Sequence, residues 1–172
     1  MHISVVHADE FAPLREELIE LLQDAVDSGA SVGFLPPLDR DEAAAYWQNV
    51  EMAVRHHEVL LLAARDEHGV LGTVQLLLPD KPNARHRAEV RKLLVNRRAR
   101  RRGVGRSLMQ AVEVQSAALG RTMLVLDTRK GDAAEKLYVH MGYHRAGEIP
   151  RYARSANGEL HTTVFFWREL GG

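Results

Sequence analysis

The chain has 172 residues and no cysteine, and its 23 basic and 23 acidic side chains give a formal net charge of zero. A chain of this length builds one hydrophobic core more readily than two, so we expect a single domain over residues 1–172. The charge balance argues against bulk affinity for nucleic acid or a membrane surface. The lack of cysteine excludes disulfides, thiolate catalysis and thiolate metal ligands.

The N-terminal residues do not combine a basic region with a long apolar run, which is what a secretory signal requires. The apolar stretches, such as 59–64, are also far shorter than the ~20 residues of a membrane span. We therefore expect a cytoplasmic protein. The histidines lack paired ligand spacing, so we expect no metal.

Apolar periodicity and turn residues predict eleven elements along the chain. In chain order they are a strand at 2–7, a helix at 8–27, a helix from Asp39 or Asp41 to about 57, strands at 58–66, 70–78 and 87–95, a helix at 103–119, a strand at 122–127, a helix at 132–140, and strands at 143–152 and 160–167. This order predicts an α/β (α+β) fold. Its sheet is mixed and mostly antiparallel, has a parallel β-α-β unit at the centre, and is flanked by helices.

The most informative segment is a strand, a basic turn and a helix between residues 87 and 119. Gly103 and Gly105 stand where the helix begins, directly after a run of arginines. Unpaired backbone N–H groups at a helix start bind phosphate when glycines let the chain approach closely. Two other interpretations remain open, namely ordinary turn glycines and a nucleic-acid-binding patch over Arg97–Arg106.

The pattern Arg100-x-x-Gly103-x-Gly105 resembles the Arg/Gln-x-x-Gly-x-Gly/Ala signature of the GNAT acetyltransferases. The resemblance implies acetyl-CoA as co-substrate, with backbone N–H groups of residues 101–107 on its pyrophosphate and residues 93–95 beside its pantetheine arm. It also implies a bulge that splays the central parallel strands apart. The cofactor-binding residues it implies are Leu93, Leu94, Val95, Arg100, Arg101, Arg102, Gly103, Val104, Gly105, Arg106 and Ser107.

A second segment, Ala134–Tyr143, is similar to the Ala-x-x-Leu-Tyr-x-x-x-Gly-Phe segment of the same family. Tyr138 aligns with the general acid of that family, whereas Gly131 departs from an Asn that contacts the cofactor in many members. Glu89 is the first choice for the base, and Asp127 is the backup or holds a water molecule. Ordinary packing for the tyrosine, and solvation or arginine pairing for the carboxylates, are the competing interpretations.

Several segments, including 28–39 and 147–150, resemble a narrower group, the tabtoxin-resistance acetyltransferases. This resemblance implies transfer of acetyl to the primary amine of a small amino-acid-like molecule, with toxin or antibiotic detoxification as the role. Acetylation of protein N-termini is the alternative within the family. We expect a small-molecule amine as partner, no nucleic acid and no membrane, and we leave a homodimer open.

Overall fold

The computed structural model of the chain describes residues 1–171. Within them, seven strands and four α-helices follow one another in the predicted order, with short 3-10 helices at Ala8–Glu10 and Arg97–Ala99. The elements are β1 (His2–Val6), α1 (Phe11–Asp27), α2 (Arg40–Arg55), β2 (Val59–Asp66), β3 (Gly69–Leu77), β4 (Arg87–Val95), α3 (Val104–Ala118), β5 (Met123–Arg129), α4 (Ala133–His140), β6 (His144–Arg154) and β7 (Leu160–Glu169).

The strands form one sheet in the order β1-β2-β3-β4-β5-β7-β6. Every neighbouring pair is antiparallel except β4 and β5, which are parallel and joined through α3. This is the mixed sheet with a central β-α-β unit that the sequence predicts. The predicted fold class is confirmed.

Helices α1 and α2 cover one face of the sheet, and α3 and α4 cover the other. The face a strand residue occupies follows the twofold alternation of a strand, as β2 shows. Leu61 and Ala63 pack with α1 and α2, whereas Leu62 and Ala64 pack with α3. Asp39 caps α2 by accepting backbone hydrogen bonds from Asp41 and Glu42, which explains where that helix starts.

A β-bulge interrupts β4 and reverses its alternation. Its register against β3 shifts between Thr73 and Gln75, and Lys92 has a left-handed φ of 49°. Before the bulge, Ala88 and Val90 pack on the α3 side; after it, Leu94 packs on the α1 side. The extra residue therefore explains why 87–95 does not alternate strictly.

The bulge coincides with a gap at the centre of the sheet. Strands β4 and β5 pair only from Arg87–Glu89 to Met123–Val125, and no ladder joins the rest of β4 to the rest of β5. The predicted splay of the two parallel strands is thus present, and it opens the sheet toward the start of α3.

Candidate active site

A cleft of about 550 Å³ lies where β4 and β5 diverge. The last residues of β4, the turn before α3, the start of α4 and the end of α1 form its walls. Of the eleven residues predicted to bind the cofactor, nine line this cleft: Leu93, Leu94, Val95, Arg100, Arg101, Gly103, Val104, Gly105 and Arg106. The other two, Arg102 and Ser107, do not line it.

The two glycines of the turn serve different purposes. Gly103 caps α3 with a left-handed φ of 81°, which a glycine adopts without strain. A Cβ atom on Gly105 would lie 3.6 Å from Leu137 and 3.7 Å from Val95, among the residues that line the cleft. Glycine at 105 therefore leaves room for a ligand to approach the helix start.

The first backbone N–H groups of α3 have no partner within the helix, as at any helix start. The N–H of Ser107 is different, since it donates to the Gly103 carbonyl over 3.0 Å and closes the first turn. The N–H of Ser107 is therefore already bonded within the chain. Val104, Gly105 and Arg106, the first residues of α3, line the cleft.

Half of the arginine run holds the turn to the rest of the protein. Arg97 forms an ion pair with Asp24 of α1 at 2.5 Å, and Arg98 donates to the His68 carbonyl. Arg100 donates to the Ser28 hydroxyl and lies 3.3 Å from the Val95 carbonyl. These contacts fix the turn against α1, and Arg101 and Arg106 line the cleft beside it.

The two predicted carboxylates lie on the same face of the sheet, on either side of the gap. Glu89 of β4 forms a two-point ion pair with Arg91, at 2.6 and 3.0 Å, and its side chain is 29% exposed. Asp127 of β5 accepts a hydrogen bond of 3.1 Å from the Thr163 hydroxyl of β7. Hydrogen bonding to Glu89 raises the pKa of Arg91, and the charge of Asp127 acts in the same direction.

Tyr138 of α4 lies on the opposite face, in the core under α3. It is 4% exposed, and its ring centre lies 5.9 Å from that of Tyr143 and 6.0 Å from that of Phe166. Burial raises the pKa of the Tyr138 phenol, and the negative charge of Asp127 adds to the shift. The ring does not line the cleft, but its neighbour Leu137 does.

Lys92, at the bulge, holds the loop between α1 and α2. Its ammonium donates to the Val32 carbonyl at 2.5 Å and lies 5.8 Å from the ring centre of Phe34 and 5.9 Å from that of Tyr46. Burial lowers the pKa of Lys92. The phenol of Tyr46 accepts a hydrogen bond from Gln75 over 2.7 Å, and burial raises its pKa to about 12.

A second cavity, of about 260 Å³, lies between the loop after α1 and the β6–β7 hairpin turn. Arg129, at the end of β5, lines both this cavity and the cofactor cleft. Its guanidinium pairs with Asp132 at 2.8 Å and donates to Ser155 at 3.1 Å and to the Gly29 carbonyl at 3.2 Å. It therefore joins the two loops across the end of the strand gap.

The sequence alone does not indicate that Lys92 and Arg129 hold loops in place. Each acts on segments distant in the chain, and a lone basic residue in a strand is typical of a solvated surface. The bulge is the one local sign, because it places Lys92 where the strand alternation breaks.

Residues 1–171 contain no group of His, Asp and Glu side chains arranged to hold a metal ion. No helix in this part of the chain is long and apolar enough to cross a membrane.

Comparison with known proteins agrees with the fold. Residues 16–143 match the model of the acetyltransferase (GNAT) family. An uncharacterized N-acetyltransferase from the hisH-hisA intergenic region of Azospirillum brasilense is 31% identical over 116 residues, which are 66% of this chain and 67% of that protein.

Solved structures share the fold over nearly the whole chain. The ribosomal-protein-alanine N-acetyltransferase of Brucella melitensis has a TM-score of 0.80 at 20% identity, covering 99% of this chain and 100% of that one. The protein yncA of Salmonella typhimurium, solved with its cofactor acetyl-CoA, has a TM-score of 0.78 at 18% identity, covering 100% of this chain and 95% of that one.

The chain belongs to the GNAT family of acetyltransferases, because the family model matches well over half of its length. It is an acetyl-CoA-dependent acetyltransferase, as predicted from the two sequence segments. The cleft beside α3 is lined by Gly103 and Gly105, by the first residues of the helix and by the aliphatic residues Leu93, Leu94 and Val95.

Proposed function

We propose that the protein transfers acetyl from acetyl-CoA to the primary amine of a small amino-acid-like molecule. The observation that supports this most is the gap between β4 and β5, which joins the cofactor cleft to a face of the sheet carrying Glu89 and Asp127. A thioester in this gap is open to an amine arriving from that face.

In the cofactor half, the N–H groups of Val104, Gly105 and Arg106 bind the pyrophosphate, helped by the positive end of α3. Arg101 adds charge beside it. The backbone of Leu93–Val95 pairs with the pantetheine amides in the manner of an added strand. Arg100 acts indirectly by holding the turn against Ser28.

In the transfer step, the amine nitrogen forms a bond to the thioester carbonyl carbon, and the C–S bond then breaks. A carboxylate takes the extra proton of the arriving ammonium ion, and Tyr138 donates its phenolic hydrogen to the departing thiolate. The nitrogen gives a second proton to water as the amide forms, and a proton from water restores the phenol. Because burial raises the pKa of Tyr138, the phenol keeps its proton over the physiological pH range. No covalent enzyme intermediate is needed.

Glu89 is the first candidate for the base, with Asp127 as its partner or as the holder of a water molecule. Both oxygens of Glu89 are bonded to Arg91, so the base role requires that guanidinium to release one oxygen when the amine arrives. Asp127 has one neutral partner, the Thr163 hydroxyl. The two carboxylates lie on one face, which supports a shared task.

The resemblance of the loops to the tabtoxin-resistance acetyltransferases supports detoxification of a toxin or antibiotic as the role, with the cytoplasm as the site of action. The similarity to the Brucella ribosomal-protein-alanine enzyme makes protein N-termini the alternative acceptor. Use of Arg97–Arg106 on nucleic acid has less support, since Arg97 is ion-paired and Arg98 and Arg100 are bonded within the chain.

The direct test is release of free CoA thiol from acetyl-CoA across a panel of small amines, amino acids and N-terminal peptides. Acetylation of small amines with little activity on peptides supports the proposal. A preference for peptides would instead support acetylation of protein N-termini. A rise in melting temperature with DNA but not with CoA would point to the nucleic-acid alternative.

A further inference from the structure

The second cavity is lined by basic residues that acetyl transfer by itself does not require. Its walls come from residues 26–36 after α1, from Arg129, and from residues 153–156 of the hairpin. We infer that it holds the acceptor and selects small amines that carry a carboxylate, with Arg154 as the residue that binds the anion. This inference rests on the proposed acetyl transfer to a small amine.

The cavity borders the cofactor cleft. Gly29, Ala30 and Arg129 line both it and the cofactor cleft. Phe34 lines its other side, and the ring of Phe34 lies 5.8 Å from the Lys92 ammonium at the bulge of β4. A molecule held here is therefore next to the strand gap, on the face that carries Glu89.

The volume of about 260 Å³ restricts the size of the acceptor. Pockets for drug-sized ligands begin at roughly 300 Å³, so this space suits a molecule of about a dozen heavy atoms. A free amino acid or a close analogue fits. An aminoglycoside or a peptide chain would have to leave most of its structure outside.

The charges of the residues that line the cavity determine which small amines it can bind. The lining includes two arginines and no aspartate or glutamate. Arg129 is largely neutralised by Asp132, which faces the cofactor cleft. Arg154 is exposed, donates to the Gly158 carbonyl over 2.8 Å and forms no ion pair with a carboxylate within residues 1–171, so its guanidinium is open to an anion.

The loop that lines the cavity also contains backbone N–H groups without a partner in the described chain. The backbone N–H groups of Ser31, Gly33, Phe34 and Leu35 make no hydrogen bond within residues 1–171. An anion accepting from a guanidinium and from backbone N–H groups forms charge-assisted bonds, the stronger class of hydrogen bond. A polycationic amine would instead meet Arg154 and Lys92 with like charge.

The first experiment compares matched acceptors that differ only in the carboxylate. The pairs are 5-aminopentanoate with 5-aminopentanamide and L-alanine with L-alaninamide, each assayed as free-thiol release from acetyl-CoA. Each acid should be acetylated with a kcat/KM about 10- to 100-fold above that of its amide, the range for losing a charge-assisted bond. The first pair keeps the amine far from the change, so its amine basicity is nearly constant.

The second experiment removes the cation. Arg154→Gln should lower kcat/KM for the acid by the same factor and leave the amide unchanged, so the acid-to-amide ratio falls toward one. Arg151→Gln is the matched control, because Arg151 lies on the same strand and does not line the cavity; it should keep the wild-type ratio. Melting temperature and acetyl-CoA affinity should stay at wild-type values in both variants.

The outcomes separate the two proposals. If acids and amides are acetylated equally, if amides or the polyamine kanamycin are preferred, or if Arg154→Gln keeps the wild-type ratio, the anion pocket is overturned while transfer to small amines stands. If no small amine of either kind is acetylated, the proposed function itself fails.

Discussion

The two sides of the proposed transfer site are built in different ways. On the cofactor side, the site is formed by residues of β4, of the Gly103–Gly105 turn and of the start of α3. These elements pack on the hydrophobic core under α3. On the acceptor side, two loops are held mainly by side chains, with Lys92 bonded to Val32 and Arg129 bonded to both loops.

This difference predicts different responses to mutation. Backbone groups set by a helix and a bulge tolerate few changes without loss of the fold, which suits a cofactor common to the whole family. In loops held by a few polar side chains, the residues that line the cavity can change while the packing on both faces of the sheet stays intact. The acceptor can therefore vary between relatives that share one cofactor site.

The largest effect is expected from Gly105→Asp on the cofactor side. A carboxylate there would project beside Val95 and Leu137 and repel the pyrophosphate, so affinity for CoA should fall by about 100-fold or more. Gly147→Asp on β6 is the matched control, since a Cβ there meets nothing within 4 Å and Gly147 is outside the cleft. Calorimetric titration measures both, and equal affinities in two folded variants would remove the turn from the cofactor site.

The next largest effect is expected from Tyr138, which lies in α4 and outside the two loops of the acceptor side. Tyr138→Phe keeps the ring packed on Tyr143 and removes only the hydroxyl, so kcat should fall by about 100-fold while CoA affinity holds. Tyr143→Phe, the same change on the neighbouring ring, should leave kcat unaltered. Pre-steady-state kinetics must show that chemistry limits the rate, and a wild-type kcat for Tyr138→Phe would make this residue structural.

The pKa shift of Tyr138 gives this prediction a pH dependence. A general acid works in its protonated form, so activity is lost as pH rises through its pKa. Because burial raises that pKa above the ordinary phenol value of about 10, Tyr138 should cause no alkaline decline in kcat below about pH 10. A decline near pH 9 that disappears in Tyr138→Phe would contradict the raised pKa while leaving the general-acid role in place, and a decline that persists in Tyr138→Phe would belong to another group.

A smaller effect is expected from Glu89→Gln on the acceptor face. The amide keeps the shape but removes the base, and kcat/KM should fall about tenfold, less than a lost base usually costs, because Asp127 remains. Asp127→Asn should cost less. If the two share one task, the double variant should lose less than the product of the single losses. An unchanged kcat/KM and pH profile in Glu89→Gln would leave Asp127 or water as the base.

Sequence patterns predicted the fold because it depends on local signals. The Gly103-x-Gly105 spacing, the Asp39 cap and the apolar periods act within a few residues of chain. Patterns could not predict that Arg100 bonds to Ser28, or that Arg91 occupies both oxygens of Glu89. Those contacts depend on how the side chains settle after folding, and a run of arginines looks the same whether it binds a ligand or the chain itself. The roles of the site residues, and the single domain over 1–172, stay predictions.

The smallest effect tests the acceptor side alone, through Lys92. Lys92→Met keeps an apolar stem between Phe34 and Tyr46 but loses the bond to Val32, so the loop should loosen and the acceptor KM rise about 3- to 10-fold at constant kcat and CoA affinity. Lys92→Arg should not rescue it, since even a Cβ on Gly33 would lie 3.1 Å from the ammonium and a guanidinium is larger. The lowered pKa of Lys92 also predicts the direction in which stability changes with pH. Between that pKa and the unfolded value of about 10.5 the unfolded chain binds more protons, so wild-type stability should increase with pH relative to Lys92→Met. Denaturant titrations at pH 7 and pH 10 measure this difference. A KM change confined to acetyl-CoA would mean that Lys92 supports the cofactor side, and the proposed division between the two sides would fail at the bulge they share.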